Sequence, residues 1–499
     1  MFRMTSEEDF LRRADGAGRV VAFKEFIADR ETPVAAFSRL AEDEEAFLLE
    51  SVAGGETRAR YSFIGIDPRF AVEECAGKTV MRDVRTGAAE TLPDSGALDA
   101  LRRLFAEKPF APAPELPQFQ GGAAGYVAYD AVARFEPRVK LAPEPGTPSA
   151  AFLVVDTMLV FDSVRGTVCV AVASDVASFP SAKEAYAAAM EKIAAVYGRV
   201  LSAESIARLA AAPARKAERG CTSEFACDMT KEEFVGAVES CKAAIRAGEA
   251  IQIVPSRKFT ARTSLGALAL YRALRAVNQS PYSFLMRIGK KTLIGSSPEE
   301  LVKLSGRTCS TSPIAGTRPR GASAADDARL ERELKGDPKE RAEHVMLVDL
   351  GRNDLGRVCE TGSVKVRSYA HVERYSHVMH LVSNVTGTLE EKFDAFDLLR
   401  AAFPAGTLTG APKVRAMEII AELEKSPRGV YGGAAGYFSF TGDADFAIAI
   451  RTMVLEDGIL SVRAGAGITA DSDPEKEYEE TANKAKALFE AAAMAEELQ

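Results

Sequence analysis

The chain has 499 residues, of which 47% are hydrophobic and 27% are charged, and its formal net charge is −8. This length predicts roughly two to four domains of about 150 residues each. No run of about 18 apolar residues occurs, so we expect no membrane-spanning helix. The acidic balance, together with the lack of a basic patch in the sequence, argues against nucleic acid as a main partner.

The first 13 residues are charged and contain no apolar stretch, so they do not resemble a secretory signal. The seven cysteines are scattered along the chain and form no Cys-x-x-Cys pair. Together these features predict a cytoplasmic protein with reduced thiols.

The first part of the chain is predicted to be rich in strands. An apolar run at 46–51 predicts a strand that pairs with 60–65 across a turn-rich stretch. Two further apolar strands are expected near 151–161 and 167–174, followed by a helix from about 181 to 211. The composition changes at 211–226, where Pro, Lys, Arg and Gly predict a linker.

The part after the linker begins with a clear helix signal. Thr230 and Glu233 form a capping-box pattern, and Gly248 suits the left-handed residue that follows a helix end. A strand is predicted at 251–257, with Gln252 as its polar residue. The stretch 294–299 predicts a strand end and then a helix whose first turn carries Glu299.

One hexapeptide, Gly-Gly-Ala-Ala-Gly-Tyr, occurs twice, at 121–126 and at 432–437. Each copy precedes alternating apolar residues, which predicts a strand that begins with glycines. No helix follows and the pattern is not GxGxxG, which excludes a dinucleotide site. Two strand-rich halves with flanking helices predict an α+β chain whose domains pack closely.

Two pairs of glutamates, each spaced three residues apart, are candidates for a metal site. Glu340 and Glu343 form the first pair, and Glu477 and Glu480 form the second pair shortly after the glycine-rich stretch 465–467. Residues with this spacing share one face of a helix. Two helices that aim four carboxylates at one point would form an oxygen-rich site for a hard cation such as Mg2+. For either pair alone, a solvated helix face is the simpler interpretation.

Two further side chains suggest chemistry. Arg451 stands in an otherwise apolar strand, and a buried arginine requires an anionic partner from the protein or from a ligand. His377 and His380 lie three residues apart, but neither a cysteine ligand nor an HExxH pattern accompanies them, which argues against zinc. Of the histidines, His380 is the preferred functional residue.

The order of these motifs closely resembles that of the chorismate-utilising enzymes and, within them, the large subunits of anthranilate synthases. The resemblance spans about 230–490 strongly and about 46–130 more weakly. It implies antiparallel sheets packed as a sandwich with flanking helices. It also implies the Mg2+-dependent conversion of chorismate and ammonia to anthranilate and pyruvate, in tryptophan biosynthesis. The motifs that carry it are 251–259, 295–299, 313–321, 342–354, 406–413, 431–433, 449–452 and 465–484.

The resemblance implies roles for individual residues. Glu299 would protonate the leaving C4 hydroxyl, and His380 would act in the loss of pyruvate. Gln252 stands where isochorismate and salicylate synthases carry a water-activating lysine, and Ala315 stands where aminodeoxychorismate synthases commonly carry a lysine. The absence of both lysines favours ammonia and an aromatic product. The other implied roles are Mg2+ ligation by Glu340, Glu343, Glu477 and Glu480, and substrate binding by Thr407, Tyr431, Arg451, Gly465, Ala466 and Gly467.

The resemblance also implies partners and an inhibitor. No cysteine lies in the Gly-x-Cys-x-Gly turn of a glutamine amidotransferase, so ammonia would come from a separate glutaminase subunit in a hetero-oligomer. In the family, tryptophan binds near a Leu-Leu-Glu-Ser motif, here 48–51, and near a second segment, here 278–284. The implied effector residues are Ser51, Pro281, Tyr282 and Ser283, where Ser283 replaces a methionine; a plain sheet strand at 48–51 is the alternative.

The implied organisation is an N-terminal regulatory domain at 1–210, which binds tryptophan, the linker at 211–226, and a C-terminal chorismate-binding catalytic domain at 227–499. Two other functions stay open. An aminodeoxychorismate synthase-like enzyme would use the same substrate, and a non-catalytic tryptophan-sensing homologue would bind only effector and partner. The intact glutamate pairs, Glu299 and Arg451 argue against the second.

Overall fold

The computed structural model describes residues 2–41, 43–51, 60–93, 96–141, 144, 146–201, 225–375 and 378–497. The predicted linker lies outside these residues except for its last two. Among the described residues, no helix is both long enough and apolar enough to cross a membrane.

The helices of the described residues lie mostly on the outer faces of two sheets. They are α1 (Glu7–Ala14), α2 (Pro33–Ala41), α3 (Ala97–Ala106), α4 (Val132–Phe135), α5 (Ala182–Leu201), α6 (Lys231–Arg246), α7 (Ala267–Val277), α8 (Ala324–Gly336), α9 (Pro338–Gly356), α10 (Ala395–Ala402), α11 (Gly406–Thr409), α12 (Lys413–Leu423) and α13 (Pro474–Glu497).

The strands are numbered in chain order. They are β1 (Arg19–Ile27), β2 (Ala46–Glu50), β3 (Tyr61–Ile66), β4 (Phe70–Cys75), β5 (Lys78–Asp83), β6 (Ala89–Leu92), β7 (Phe110–Ala111), β8 (Gly122–Val127), β9 (Ala150–Val155), β10 (Thr157–Asp162), β11 (Thr167–Asp175), β12 (Ala226–Cys227), β13 (Gln252–Ile253), β14 (Ser256–Arg262), β15 (Tyr282–Ile288), β16 (Lys291–Ser297), β17 (Glu300–Ser305), β18 (Thr308–Thr311), β19 (Ile314–Pro319), β20 (Lys365–Arg374), β21 (Val378–Thr388), β22 (Gly410–Ala411), β23 (Ala434–Ser439), β24 (Ala444–Ile448), β25 (Thr452–Glu456) and β26 (Ile459–Gly465).

Two large sheets, antiparallel except at the β1–β7 pair, form the body of the structure. The first has the order β12-β14-β26-β25-β16-β15-β2-β3-β10-β11-β1-β7. The second has the order β19-β21-β18-β17-β24-β23-β8-β9-β4-β5-β6, with β20 paired to β21. Apolar residues of both sheets, among them Phe47, Tyr126 and Phe284, share one buried cluster, so the sheets pack face to face. This confirms the predicted α+β sandwich with flanking helices.

Each sheet divides at its middle into a half from residues 19–175 and a half from residues 226–465. The halves meet at β2 and β15 in the first sheet, and at β8 and β23 in the second. In the first sheet, counted outward from the point where the halves meet, the strand orders on the two sides match. The strands β1, β2 and β3 take the same places on one side as β14, β15 and β16 take on the other. The division into a regulatory and a catalytic domain stays a prediction, since both halves share both sheets.

The repeated hexapeptide forms the seam of the second sheet. Its two copies pair with each other, and Gly125 lies opposite Gly436. A Cβ on Gly125 would lie 2.0 Å from Ala151 O, and one on Gly436 would lie 2.1 Å from Asp445 O. Both positions therefore require glycine because neighbouring backbone fills the space of a side chain.

The structure corrects three details of the predicted elements. The strand expected near 151–161 is two strands, β9 and β10, which lie in different sheets on either side of Asp156. The strand predicted at 251–257 is broken at Pro255, which lacks a backbone donor. Glu299 begins no helix, because it lies between β16 and β17.

Other local predictions are confirmed. Thr230 and Glu233 form a capping box at the start of α6. Gly248 follows that helix with a φ of 78°, the left-handed conformation that glycine adopts readily. The predicted helix near 181–211 is α5, whose described residues end at Leu201.

The seam yields a stability prediction. We expect Gly436→Ala to lower the free energy of unfolding by about 1–3 kcal/mol, since the added methyl group must displace backbone atoms. Gly236, in the middle of α6, has no heavy atom within 4 Å of an added Cβ. Gly236→Ala is therefore the matched control, and we expect it to raise stability by up to about 1 kcal/mol. Urea unfolding followed by circular dichroism measures both; equal stability of the two variants would contradict the role of the seam.

Candidate active site

The candidate active site forms where the ends of several strands meet. The backbone of Gly465 forms a hydrogen bond with the Tyr431 hydroxyl. A Cβ on Gly467 would lie 2.5 Å from Gln252 Nε2. Gln252 Nε2 in turn donates to Glu343 Oε1 at 3.2 Å. These contacts bring the stretch 465–467 together with three side chains that lie far apart in the sequence.

Glu299 is a buried carboxylic acid between two strands. Its backbone oxygen accepts a hydrogen bond from Ile448 N at 3.0 Å, which fixes the segment to β24. Burial raises the pKa of Glu299 to about 8, and the adjacent Thr407 hydroxyl opposes this rise. Thr407 Oγ1 itself is buried and forms no well-oriented hydrogen bond with a described residue. At neutral pH the Glu299 carboxyl is thus protonated and able to donate a proton.

Arg451 is a largely buried cation in a strained backbone position. Its φ of 48° lies in the left-handed region, which is uncommon for residues other than glycine and is concentrated at functional sites. Its Nη1 donates to Asn278 Oδ1 at 3.1 Å, and none of the described carboxylates pairs with it. Burial lowers the pKa of Arg451. An anionic ligand would supply the missing partner.

His380 is a neutral histidine near this cation. Its Nδ1 lies 3.0 Å from Gly316 O and 3.1 Å from Thr317 Oγ1. The carbonyl can only accept a hydrogen bond, so Nδ1 carries the proton and donates, which assigns the tautomer and leaves Nε2 as an acceptor. Burial lowers the pKa of His380, and the charge of Arg451 acts in the same direction.

The three backbone groups predicted to bind a carboxylate are not equivalent. Gly465 is engaged by Tyr431, and Ala466 N donates to Pro255 O at 3.1 Å. Within the described part of the chain, Gly467 N has no hydrogen-bond acceptor. Gln252 Oε1, beside it, is also buried without a partner. The backbone donor available to a ligand is therefore Gly467 N.

The four predicted metal ligands divide into an inner pair, Glu343 and Glu477, and an outer pair, Glu340 and Glu480. Burial raises the pKa of both Glu343 and Glu477, and the same two basic side chains, Lys339 and Lys484, oppose the rise at each. Glu477 Oε2 is buried and has no hydrogen-bond partner among the described residues. The carboxyl groups of Glu343 and Glu477 thus both lie near Lys339 and Lys484.

The outer pair is engaged by basic side chains. Arg318 Nη1 donates to Glu340 Oε1 at 3.1 Å, and Lys484 Nζ lies 2.7 Å from Glu480 Oε1. In the ranges that the structure describes, no three His, Cys, Asp or Glu side chains are arranged to hold a metal ion. The predicted convergence of four carboxylates is therefore not formed as the side chains stand.

The inner pair nevertheless fits a hard cation. Carboxylate oxygens are the ligands that Mg2+ prefers, and Glu477 Oε2 is such an oxygen with no other partner. A nearby positive charge favours the ionised form of a carboxyl, which would reverse the effect of burial on Glu343 and Glu477. Glu340 and Glu480 could join them once they leave Arg318 and Lys484.

The predicted effector residues line a separate cavity of about 590 Å³, the effector cavity. Tyr282 Oη donates to Glu300 Oε2 at 3.2 Å on its wall. Pro298 and Glu300 both line the cavity, whereas Glu299 between them faces Thr407. The predicted residues gathered there are Ser51, Pro281, Tyr282 and Ser283.

The histidines of the described residues each bond to a different partner. His344 Nε2 bonds Ser383 Oγ at 2.6 Å, and His371 Nε2 lies 3.1 Å from Glu373 Oε1. His377, considered with His380 for zinc, lies outside the described residues.

Sequence reasoning missed two residues of the site. Asn278 belongs to the predicted effector segment, yet it holds Arg451. Arg428 is buried and contacts several site segments through its guanidinium group. The available signal for Arg428 was its spacing of four residues from Glu424, together with its closeness in sequence to Tyr431.

Comparisons with known proteins identify the family of the chain. Residues 44–490 match the family described as chorismate binding enzyme. Anthranilate synthase component 1 of Streptomyces coelicolor is 46% identical over 479 residues, which cover 95% of this chain and 89% of that protein. The protein of the same name from Acetivibrio thermocellus is 44% identical over 472 residues, 94% of each chain.

A solved structure gives the same result. The crystal structure of anthranilate synthase component I from Streptococcus pneumoniae superimposes with a TM-score of 0.76 and 35% identity, over 93% of this chain and 99% of that one. The matches cover nearly the whole chain and include both sheets and every segment of the candidate site. The chain therefore belongs to the chorismate binding enzyme family.

Proposed function

We propose that this chain is the chorismate-binding component of an anthranilate synthase, a Mg2+-dependent lyase that converts chorismate and ammonia to anthranilate, pyruvate and water. The observation that carries the proposal is the buried Glu299 carboxyl, whose pKa is raised to about 8. Loss of a hydroxyl group requires a general acid, because hydroxide is a poor leaving group. The relatives named anthranilate synthase component 1 support the same reaction.

The substrate would be held by charges that lack partners in the protein. Chorismate carries two carboxylates, and Arg451 has no carboxylate partner among the described residues. We assign the enolpyruvyl carboxylate to Arg451 and Tyr431. We assign the ring carboxylate to Thr407 and Gly467 N, both of which have unused hydrogen-bonding capacity.

In the first step ammonia forms a bond to C2, each of the two ring double bonds shifts by one bond, and the C4–O bond breaks. Glu299 donates its proton to the departing oxygen, which leaves as water. The nitrogen now bound at C2 loses one proton to the solvent, which leaves a neutral amine. Gln252 stands beside Gly467 and is an uncharged amide, so it does not serve as a base that activates water. Ammonia therefore faces no competing activated nucleophile at this position.

In the second step the amino intermediate loses its C2 proton and the C3–O bond breaks, which gives anthranilate and the enol of pyruvate. The enol gains a proton at its methylene carbon to become pyruvate. His380 is neutral and keeps Nε2 as an acceptor, which suits it to a role in this step.

Mg2+ would be held by Glu343 and Glu477, with Glu340 and Glu480 as further ligands, and it would neutralise the ring carboxylate of chorismate. Ammonia would come from a separate glutamine amidotransferase subunit. Tryptophan would inhibit by binding in the effector cavity at Ser51, Pro281, Tyr282 and Ser283.

The first experiment follows the fluorescence of purified chain with chorismate, Mg2+ and an ammonium salt, in the absence of glutamine. We expect anthranilate emission to rise, and EDTA to abolish the rise. Consumption of chorismate without anthranilate would favour an aminodeoxychorismate synthase-like enzyme. No consumption at all would favour a non-catalytic homologue that binds tryptophan.

The general acid yields a pH prediction. A group with a raised pKa stays protonated below that pKa, so we expect kcat to fall as the pH rises through about 8. Glu299→Gln should lower kcat by about 10²–10⁴-fold and abolish this alkaline limb. Assays must hold the concentration of free NH3 constant, because ammonium also titrates in this range.

Glu74 in β4 provides the control for this experiment, because it is a buried glutamate that pairs with Arg134. Glu74→Gln should keep the alkaline limb and most of kcat. An unchanged limb in Glu299→Gln would show that another group is the acid.

The effector cavity yields a prediction about inhibition. Ser51→Phe places a large ring in the cavity, so we expect tryptophan inhibition to weaken by about tenfold or more while activity without tryptophan persists. Ser240, exposed on α6, is the control position. Inhibition curves at fixed chorismate measure the effect. Equal sensitivity of Ser51→Phe and Ser240→Phe would place the effector elsewhere.

A further inference from the structure

Arg428 is a fully enclosed cation that binds the backbone of two separate segments of the candidate site. Its Nη1 donates to Leu408 O at 2.7 Å, and its Nη2 donates to Val254 O at 2.5 Å. Leu408 directly follows Thr407, and Val254 lies two residues after Gln252. One guanidinium group thus sets the spacing between the segments that carry Thr407 and Gln252.

The same residue supports a third segment through its backbone. Tyr431 N donates to Arg428 O at 3.2 Å, so the turn that carries the Tyr431 hydroxyl begins at Arg428. The charge of Arg428 also lowers the pKa of Tyr431, which burial raises to about 12. Arg428 therefore contacts all three segments without being placed to bind substrate itself.

A buried carboxylate holds the guanidinium group in place. Glu424 accepts from Arg428 Nη2 at 2.6 Å and from Arg428 Nε at 2.9 Å. Glu424 also accepts from Ser256 N and from Arg463 Nη1, at 2.8 and 3.3 Å. Several hydrogen bonds thus hold the guanidinium group and the carboxylate from different directions. A buried ion pair held in this way fixes one geometry.

The first half of the chain completes the enclosure. The Tyr129 ring lies 4.5 Å from the guanidinium carbon of Arg428. Tyr129 N donates to Gly429 O at 2.7 Å, and Gly429 N donates to Asp130 Oδ2 at 2.9 Å. Residues after β8 therefore hold Gly429, which follows Arg428, through both its carbonyl group and its N–H group.

We propose that Arg428 is a positioning residue for the reaction, which fixes the relative placement of Gln252, Thr407 and Tyr431 through Val254 O, Leu408 O and its own backbone. This inference rests on the proposed function. A lysine at this position keeps the charge, but it lacks the planar fork of the guanidinium group and cannot reproduce all the contacts to Val254 O, Leu408 O and Glu424.

The test compares four variants with the wild-type chain in the anthranilate fluorescence assay with ammonium and Mg2+. In Arg428→Met we expect KM for chorismate to rise and kcat to fall, each about tenfold or more, since small displacements of positioning groups have effects of this size. Arg428→Lys should recover part of the loss. Glu424→Gln/Arg428→Met removes Arg428 together with its carboxylate partner and leaves Arg463 paired with Asp228, so it should keep the kinetic defect of Arg428→Met whatever its thermal stability.

Arg39 provides a matched control. Its buried guanidinium group pairs with Glu31 at 2.7 Å and donates to Val200 O, in the first half of the chain and away from the site. Arg39→Met should lower the melting temperature while KM and kcat stay within about twofold of wild type.

The outcomes separate the two proposals. If wild-type chain makes no anthranilate, the proposed function fails before any variant is compared. If wild-type chain is active and Arg428→Met changes KM and kcat no more than Arg39→Met does, the positioning role is overturned. It is also overturned if the double variant regains full activity together with its stability, because the defect of Arg428→Met would then come from instability alone.

Discussion

The structure depends on the pairing of two strands that carry the same six residues. Gly125 and Gly436 face each other in the seam of the second sheet, and backbone oxygens of the outer neighbours, β9 and β24, occupy the space of any side chain there. This pairing joins a half sheet from each part of the chain. The turn after β8 can then reach the turn that precedes β23, where Tyr129 and Asp130 contact the stretch 428–431. The candidate active site thus draws part of its support from the half of the chain that carries none of its proposed catalytic residues.

Electrostatics distinguish the candidate site from the surrounding core. Buried charges beside the site, such as Arg428 and Glu424, have partners with good geometry. Within the site, among the residues that the structure describes, Glu477 Oε2 lacks a hydrogen-bond partner and Arg451 bonds a neutral amide rather than a carboxylate. Unpaired buried charge lowers stability. These unpaired buried charges support the proposal that a substrate and a cation supply the missing partners.

Much of this arrangement was predictable from the sequence, but contacts between distant segments were not. The alternation after each glycine-rich hexapeptide predicted β8 and β23, and Thr230 with Glu233 predicted the start of α6, because both signals are local. The pairing of the two hexapeptides was not predictable, since no local pattern specifies a partner strand. Glu299 was expected in a helix, because a carboxylate after Ser-Pro suits a first turn; the pairing of β17 with β24 overrides that preference. Arg428 was missed because its role depends on two backbone carbonyl groups. Every residue carries such a group, so the sequence does not show which two the guanidinium group contacts.

The effector cavity and the candidate active site are adjacent because the segments 278–281 and 298–300 contribute residues to both. Pro298 and Glu300 face the cavity, and Glu299 between them faces Thr407. Asn278 holds Arg451 and stands three residues before Pro281, which lines the cavity. A cavity wall in a close-packed interior cannot move independently of the backbone that forms it. An occupant that displaces this wall therefore acts directly on the segment of the proposed acid and on the amide that holds the proposed substrate-binding arginine. No transmission over a longer distance is needed to connect the two sites.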